Sequence, residues 1–392
     1  MKRVENLTNL DNFFEIPFKW LNSIFFDFNT FDASKSLKEQ RKLILKNITL
    51  WLIFLNTCIQ VWILVDHLLG KPYELEKVSH GISSTFSITI VGIEILTLFV
   101  NKTNIMKTIK NLRNSYPTND ISVAAMSKKL EKFSIIQIIA SIFMIILLAL
   151  IPIVKTLITG EFSFLSPISN EFFFPKNVIS FIFMTIWMTT MPIFVILFAS
   201  TTFIVFAALV TTISLEFIIL ANEAKNFQNF NENEIKENFP IWIAKHNRAF
   251  ENVEKINKIF SFPFLIRFIA SGSIIAIQVF ELQEAEYQKM SQIFLCATYT
   301  VFELSQTFMQ CYFGQFLIDA SENVAKEIYN CGWENWKDLK MKKLLIVVIE
   351  RSQKAENLKI WKFGNISMEQ FTMVLNTAYN YMSFLIAIHG EN

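Results

Sequence analysis

The chain has 392 residues and a net charge of +2, and 52% of its residues are hydrophobic whereas only 18% are charged. Soluble domains carry about 25% charged residues. The composition therefore excludes an ordinary soluble enzyme, and it also excludes a disordered or a nucleic-acid-binding chain. The four cysteines have no paired spacing, which favours free thiols over a disulfide framework or a metal site. We expect no metal and no cofactor.

Seven apolar stretches follow one another along the chain, each long enough for the roughly 20 residues that a membrane-spanning helix needs. The fourth stretch is too long for one crossing, and it carries no charge from residue 178 to residue 215. It holds either two short crossings or one long helix that leaves the membrane at one end. The predicted spans are residues 47–69, 81–100, 133–153, 178–220, 262–282, 292–313 and 366–388.

The basic residues decide between these two interpretations of the fourth stretch. With one crossing there, 30 of the 36 Lys and Arg residues lie in residues 1–46, 101–132, 221–261 and 314–365; five lie in the other connecting segments and one, Arg267, inside the fifth span. Because Lys and Arg near span ends accumulate on the cytoplasmic side, the pattern predicts an all-α, seven-transmembrane-helix protein. Its N-terminus is cytoplasmic and its C-terminus extracellular, an orientation opposite to that of G-protein-coupled receptors. We expect one domain over residues 1–392.

Two of the basic cytoplasmic segments have helical patterns of their own. Residues 222–261 repeat apolar side chains at spacings of three and four, as in Phe250, Val253 and Ile256. Residues 321–359 have a similar pattern, followed by an apolar run that is too short to span a membrane. These segments are predicted to be anchor helices that pack together below the membrane.

Ionisable residues inside predicted spans are candidates for function because burying a charge in lipid is unfavourable. Glu94 lies late in the second span, and Glu303 lies midway through the sixth, with Gln306 and Gln310 on the same side of the helix. Arg267 is one turn inside the cytoplasmic end of its span, from where its side chain can reach the membrane interface, which favours a structural role. No nucleophile, base or metal-ligand pattern accompanies these residues, so we do not expect an enzyme. A transporter that uses Glu94 and Glu303 remains an alternative.

The seventh span has a polar stripe on an otherwise apolar helix. Thr372, Asn376 and Asn380 recur every four residues, and apolar residues such as Phe384 and Ile388 continue the same face. Such a stripe either joins helices through hydrogen bonds or lines a water-filled path that an apolar ring closes. The sequence pattern leaves both interpretations open.

The outer halves of the second, third, fourth and sixth spans are rich in aromatic and Met side chains with a few hydroxyl groups. Small-molecule sites are mostly apolar with a few placed polar groups, and Met lets such a site adapt its shape. Ordinary helix packing produces a similar pattern, so a small-molecule pocket in these outer halves is a hypothesis. Its candidates include Thr85, Phe86, Met144, Trp187, Met188, Met191 and Tyr299.

The C-terminal part of the chain resembles the insect odorant receptor family. In that family a Gly after the sixth span is followed by a Ser and then by Tyr-x-x-x-Trp, and this chain has Gly314, Ser321, Tyr329 and Trp333. The stretches IERSQKAENLKIWKFGNISMEQF and TMVLNTAYNYMSFL resemble the family's Arg-Ser-Gln-Lys segment and final helix. His246 also matches a His of the family. One departure is Ala378, where the family often has Ser.

The resemblance implies a tetramer with a common co-receptor around a nonselective cation pore that the seventh helix lines. It places Phe384 and Ile388 at an apolar gate, Ala387 beside them, and Asn376 and Asn380 on the pore face. His246, Tyr329 and Trp333 belong to the anchor. The resemblance also places Cys296 and Tyr299 at pocket positions of the sixth helix. Leu147 and Ile151 of the third span complete the pocket candidates.

The resemblance also implies a partner and a location. The segment 221–261 is short compared with that of the co-receptor, so the chain is expected to be a ligand-tuning subunit that binds a small, mostly apolar volatile odorant. It would lie in the plasma membrane of olfactory sensory neurons, in contact with lipid and not with nucleic acid. A gustatory-type receptor that assembles without a co-receptor is the alternative.

Overall fold

The computed structural model describes residues 75–113, 121–159, 178–284 and 290–390. The first predicted span, residues 47–69, lies outside the described residues. The described part is almost wholly helical, which confirms the predicted all-α class. Its helices are α1 Leu75–Val100, α2 Lys102–Arg113, α3 Ile121–Thr159, α4 Val178–Asn226, α5 Glu232–Glu284, α6 Met290–Tyr329, α7 Leu339–Ser352 and α8 Met368–Gly390.

Short elements connect the later helices. Two 3₁₀ turns, Phe227–Asn229 and Trp333–Asn335, follow α4 and α6. The strands β1 Lys359–Ile360 and β2 Gly364–Asn365 form an antiparallel hairpin before α8, with Lys359 opposite Asn365 and Ile360 opposite Gly364.

The longest helices extend well beyond the thickness of a bilayer. Helix α4 has 49 residues and α5 has 53, even though α5 contains Pro240 and Pro263. At 1.5 Å per residue these helices are about 75–80 Å long, compared with a hydrocarbon core of about 30 Å. The fourth predicted span therefore lies within one unbroken helix. The end points of the spans and the side of the membrane that each faces stay predictions.

Within the described residues, four helical stretches are long and apolar enough to cross a membrane. They are Gly81–Val100, Ala125–Leu150, Val195–Asn229 and Glu232–Gln283. Helix α6 is not among them, because Glu303, Gln306 and Gln310 lower its mean hydropathy.

Helix α4 forms the centre of the bundle. It packs against α1, α3, α5 and α6, and every residue from 198 to 217 is buried. A helix that is apolar on all sides is typical of such a central position. Aromatic pairs connect it to its neighbours: Phe206 lies 4.9 Å from Phe264 of α5, measured between ring centroids.

At the end of the bundle that the Lys and Arg distribution predicts to be cytoplasmic, which we name the cytoplasmic half, the helices meet in an aromatic cluster. It is made of Phe227, Phe239, Trp242, His246 and Trp336. Phe239 lies 5.2 Å from Trp336 and stacks on Trp242 at 6.3 Å. The indole Nε1 of Trp242 donates a hydrogen bond of 2.9 Å to the carbonyl oxygen of Leu220. This contact fixes the start of α5 against the end of α4.

The hairpin before α8 is held by the residues of the C-terminal motif. A Cβ atom at Gly314 would overlap the carbonyl oxygen of Ile366, so only glycine permits this close approach of α6 to the start of α8. The hydroxyl of Ser321 accepts a hydrogen bond of 2.9 Å from the backbone N–H of Glu356. Asn257 of α5 donates to the carbonyl of Asn357 and accepts from the N–H of Lys359. These contacts set the position from which α8 begins.

Candidate functional site

A buried ion pair lies in the middle of the bundle. Arg267 of α5 contacts Glu94 of α1 through an Nη1–Oε1 distance of 2.7 Å, and the two side chains are only 5% and 13% exposed. Thr202 of α4 donates to the other oxygen of Glu94 at 2.7 Å. On the α6 side, Ser271 donates to Glu303. The network therefore joins four helices.

The expectation that Arg267 reaches the membrane interface is wrong. Glu94 provides a buried partner on the neighbouring helix, and a paired charge in the bundle is more favourable than a solitary one. Glu94 and Glu303 both lie close enough to Arg267 to interact with its charge. With Glu94 occupied by Arg267 and Thr202, it joins helices and does not offer a free base. Among the described residues, no group of His, Cys, Asp and Glu could hold a metal ion.

Toward the opposite end of the bundle, which the charge pattern predicts to be the outer half, two small apolar clusters are separate from the main core. The Met144 cluster contains the buried residues Met144, Leu148 and Ile196, with Tyr299 and Phe302 packed against them. It joins α3, α4 and α6. The structure thus brings together two of the predicted pocket residues, Met144 and Tyr299. Within the described residues, no hydrogen bond reaches the hydroxyl of Tyr299, so this group is open to another partner.

The second cluster, the Phe86 cluster, lies between α1 and α5. Phe86 packs against Ile90, Ala270 and Ile274. Thr85 is less available than the sequence suggests, since its hydroxyl donates a hydrogen bond of 2.8 Å to the carbonyl of Gly81 in its own helix.

Two polar contacts at the outer end were missed by sequence reasoning. Gln278 of α5 donates to the hydroxyl of Ser83 at 3.1 Å, and both residues are buried. The thiol of Cys296, a predicted pocket residue, donates to a carboxylate oxygen of Glu281 at 3.5 Å. Gln278 and Glu281 are near the end of the fifth span, where polar residues ordinarily face the membrane surface. Nothing in the sequence distinguishes them from such residues.

The other predicted pocket residues are placed only in part. Leu147 lies on α3 and is partly buried. Ile151 is in α3, and Trp187, Met188 and Met191 are in α4, but their side chains lie outside the described residues.

Helix α8 buries one face and exposes the opposite one. Val374 and Ala378 are buried against α5, where a Cβ atom at Gly272 would be 4.0 Å from the Val374 side chain. Asn376, Asn380, Phe384 and Ala387 are exposed, and Phe384 is 64% exposed. No described residue forms a hydrogen bond with the amide of Asn376 or Asn380. The side chain of Ile388 lies outside the described residues.

His246, predicted as an anchor residue, is buried in the cytoplasmic aromatic cluster. Its ring stacks on Trp242 at 4.9 Å and meets Phe250 edge-on at 4.4 Å. The hydroxyl of Ser352 lies 3.3 Å from its Nε2 atom. Burial, together with the nearby positive charge of Arg351, lowers the pKa of His246 to about 4. The imidazole is therefore neutral at physiological pH.

Tyr329 and Trp333, the other anchor residues, lie at the surface of the cytoplasmic half. Tyr329 is 59% exposed, and its carbonyl accepts a hydrogen bond of 3.1 Å from the indole of Trp333. The ammonium group of Lys342 lies 5.9 Å from the centre of the Trp333 ring. Exposed apolar side chains of α7, including Ile346 and Val347, lie on the same half of the molecule.

Long apolar helices around a central buried helix, together with an ion pair within the bundle, define a multi-pass helical membrane protein. The family model described as 7tm odorant receptor matches residues 76–379. The chain therefore belongs to the odorant receptor family, whose members are receptors and not enzymes. This confirms the resemblance that the C-terminal motifs indicate.

Several curated proteins resemble parts of the chain. Putative odorant receptor 92a of Drosophila melanogaster is 27% identical over 181 residues, which are 45% of this chain and 43% of that protein. Odorant receptor 67a of the same species is 32% identical over 36% of this chain and 33% of its own length. The odorant receptor coreceptor of Aedes aegypti is 22% identical over 39% of this chain and 32% of its own length. The chain thus spans less than half of the length of these relatives.

A solved structure matches nearly the whole chain. The insect olfactory receptor OR5 from Machilis hrabei, in complex with eugenol, has a TM-score of 0.78 to this chain and is 12% identical to it. The match covers 96% of this chain and 100% of the OR5 chain. At this identity the likeness shows that the two chains share a fold.

Proposed function

We propose that the chain is the ligand-tuning subunit of an odorant-gated, nonselective cation channel in the plasma membrane of olfactory sensory neurons. A small volatile ligand binds in the outer half of the bundle, and α8 lines the pore. The observation that carries this proposal is the two-faced character of α8, which packs on its own subunit through Val374 and Ala378 and presents its amides to the outside.

The exposed face of α8 has the composition of a gated pore. Asn376 and Asn380 offer amide groups to water, and Phe384 and Ala387 continue the face as apolar residues toward the predicted outer end. Exposed amides on a lipid-facing helix would lack hydrogen-bond partners, which is unfavourable in a membrane. Facing the axis of an assembly gives these amides water, and an apolar ring closes such a path by excluding water.

The ligand site is proposed at the Met144 cluster. This cluster is separate from the main core, it combines a Met with aromatic side chains, and it includes a tyrosine hydroxyl that has no partner in the described chain. Apolar sites with few polar groups recognise a ligand by shape and dispersion. OR5 of Machilis hrabei, which has the same fold, is described in complex with eugenol.

The proposed partner is the odorant receptor coreceptor. This chain is similar to the coreceptor of Aedes aegypti over 154 residues. The exposed Tyr329, together with Ile346 and Val347 of α7, provides an apolar surface on the cytoplasmic half that another subunit would cover.

Current recording tests the proposal. Three groups of oocytes are compared: one expresses this chain alone, one expresses it together with the Aedes aegypti coreceptor, and one expresses the coreceptor alone. All three are exposed to the same panel of volatiles. We expect a volatile-evoked cation current that requires both chains. Robust current from this chain alone would favour the gustatory-type alternative, and a pair that responds to no volatile of the panel would contradict the proposed function.

A further inference from the structure

Three phenylalanines mark the level at which α3, α4 and α6 meet. Phe133 of α3 lies 5.6 Å from Phe203 of α4 and 5.2 Å from Phe313 of α6, and the latter two are 6.3 Å apart. These rings fix the register of the three helices relative to one another. Side chains three or four residues away on each helix lie on the same face, one turn along.

One and two turns from this triad, toward the Met144 cluster, the three helices bring polar side chains together. Gln137 of α3 and Ser200 of α4 are each one turn from their phenylalanine, and Gln310 of α6 is one turn from Phe313. Ser141 and Gln306 follow on the next turn. The hydroxyls of Ser141 and Ser200 are 2.5 Å apart, which confirms that α3 and α4 meet at this level.

The glutamines of this level, which we name the amide layer, are Gln137, Gln306 and Gln310. They are only 8%, 1% and 3% exposed. Within the described residues, no hydrogen-bond partner reaches Nε2 of Gln137, either side-chain polar atom of Gln306, or Oε1 of Gln310. Buried polar groups in native proteins nearly always have partners, and exceptions call for a ligand or water.

The Met144 cluster lies on the next turn outward. On α3, Met144 follows Ser141 by three residues; on α4, Ile196 precedes Ser200 by four; on α6, Phe302 precedes Gln306 by four. The same faces of the same helices therefore carry the residues of the Met144 cluster one turn outward from the amide layer.

We infer that the amide layer is a hydrogen-bonding subsite at the inner end of the ligand pocket, and that it selects volatiles with a hydroxyl group at one end of an apolar chain. This inference rests on the proposed function only for the location of the pocket. The hydroxyl lies against Gln306, and the apolar part lies among Met144, Leu148, Ile196 and Phe302. An amide both donates and accepts, so an alcohol satisfies both of its groups, a ketone satisfies only the donor, and an alkane satisfies neither.

The experiment uses straight-chain alcohols from butanol to octanol, with the matching methyl ketones and alkanes. Two readouts are measured for the wild-type chain and for Gln306→Leu: the current of the pair with the coreceptor, and the ligand-induced rise in Tm of the purified chain in detergent. Gln353→Leu, the same change at an exposed residue beyond α7, is the control. Gln306→Met serves as a second variant of the same site if the leucine variant does not fold.

We expect the best alcohol to lose about tenfold in apparent affinity in the Gln306 variants, as for one buried hydrogen bond, while the alkanes change less than about twofold and the control behaves as wild type. Equal losses for alcohols and alkanes, or no change for either, would overturn the inference.

The Tm readout keeps this test separate from the test of the proposed function. If no volatile opens the pair, the proposed function fails. The subsite is then supported by an alcohol-specific rise in Tm that Gln306→Leu removes, and it is overturned by a rise that Gln306→Leu retains or by the absence of any rise.

Discussion

One continuous core joins α4, α5, α6 and α7 in the cytoplasmic half and extends to α1, α2, α3 and α8, whereas two small clusters in the predicted outer half are separate from it. The cytoplasmic half buries large aromatic rings, and the indole N–H of Trp242 is paired with the carbonyl of Leu220. Between these two regions, the amide layer leaves buried amide atoms of Gln137, Gln306 and Gln310 without partners in the described chain. The large aromatic core is thus concentrated in the cytoplasmic half, and the groups proposed to accept a ligand lie beside the Met144 cluster.

The largest effect is expected in the cytoplasmic aromatic cluster. Trp242→Ala should lower the free energy of unfolding by about 3–5 kcal/mol, because it removes a fully buried ring and leaves the carbonyl of Leu220 without its donor. Thermal unfolding of the purified protein measures it. The matched change in the outer half, Phe302→Ala, should lower the free energy of unfolding by less, since that side chain is only partly buried. Equal losses would contradict the comparison between the halves.

Removing one charge of the buried ion pair between Arg267 and Glu94 should destabilise the protein more than removing both charges. Arg267→Leu leaves the carboxylate of Glu94 buried without its charged partner and should destabilise the protein by about 3–5 kcal/mol. The double variant Glu94→Gln with Arg267→Leu removes both charges and should recover much of this loss. A double variant as unstable as the single one would show that the two residues do not act as a pair.

Acidification should weaken the cytoplasmic half. The pKa of His246 is about 4 in the folded chain, whereas the ordinary value of 6.5 applies to the unfolded chain. The unfolded chain therefore binds the proton more readily, and the stability that neutral His246 contributes is present above pH 6.5 and is lost as the pH falls toward 4.

This lowering of the pKa of His246 corresponds to about 3 kcal/mol of stability. Thermal unfolding as a function of pH measures this loss. In His246→Phe, which fits an aromatic site, the dependence of Tm on pH between these values should be smaller. An unchanged dependence would assign the acid sensitivity to other groups.

The smallest effect is expected at the surface of the cytoplasmic half. Lys245 and Glu223 are 2.6 Å apart but are 40% and 34% exposed. Lys245→Gln should change the free energy of unfolding by less than about 1 kcal/mol, because solvent screens such pairs. Thermal unfolding at low and high salt measures this change in stability. A loss as large as that of Arg267→Leu would show that burial does not decide the strength of these ion pairs.

The sequence predicted the elements better than the contacts between them. Helix class and the unbroken α4 follow from local composition and from the distribution of Lys and Arg, which are properties of single segments. The C-terminal motif identified the family because its residues are close together in sequence. For Gly314, one of these motif residues, the structure gives a physical reason: the backbone of Ile366 approaches it too closely for a side chain.

The pairing of Glu94 with Arg267 could not be predicted, because the two residues are 173 positions apart and no local pattern relates them. The division of the predicted pocket residues between two clusters depends likewise on the rotation of each helix about its axis. The sequence shows Gln306 and Gln310 as polar residues in a span, but their burial beside Gln137 depends on how α3 and α6 pack.

The exposed face of α8 is proposed to line the pore, and the accessibility of single cysteines tests this proposal most directly. Asn380→Cys and Val374→Cys are expressed separately with the coreceptor and treated with a charged, water-soluble thiol reagent during odorant-evoked current. The wild-type pair controls for native cysteines, of which Cys311 and Cys331 are buried. We predict that the reagent blocks the current of Asn380→Cys and spares that of Val374→Cys. Block at Val374→Cys with none at Asn380→Cys would contradict the proposed pore.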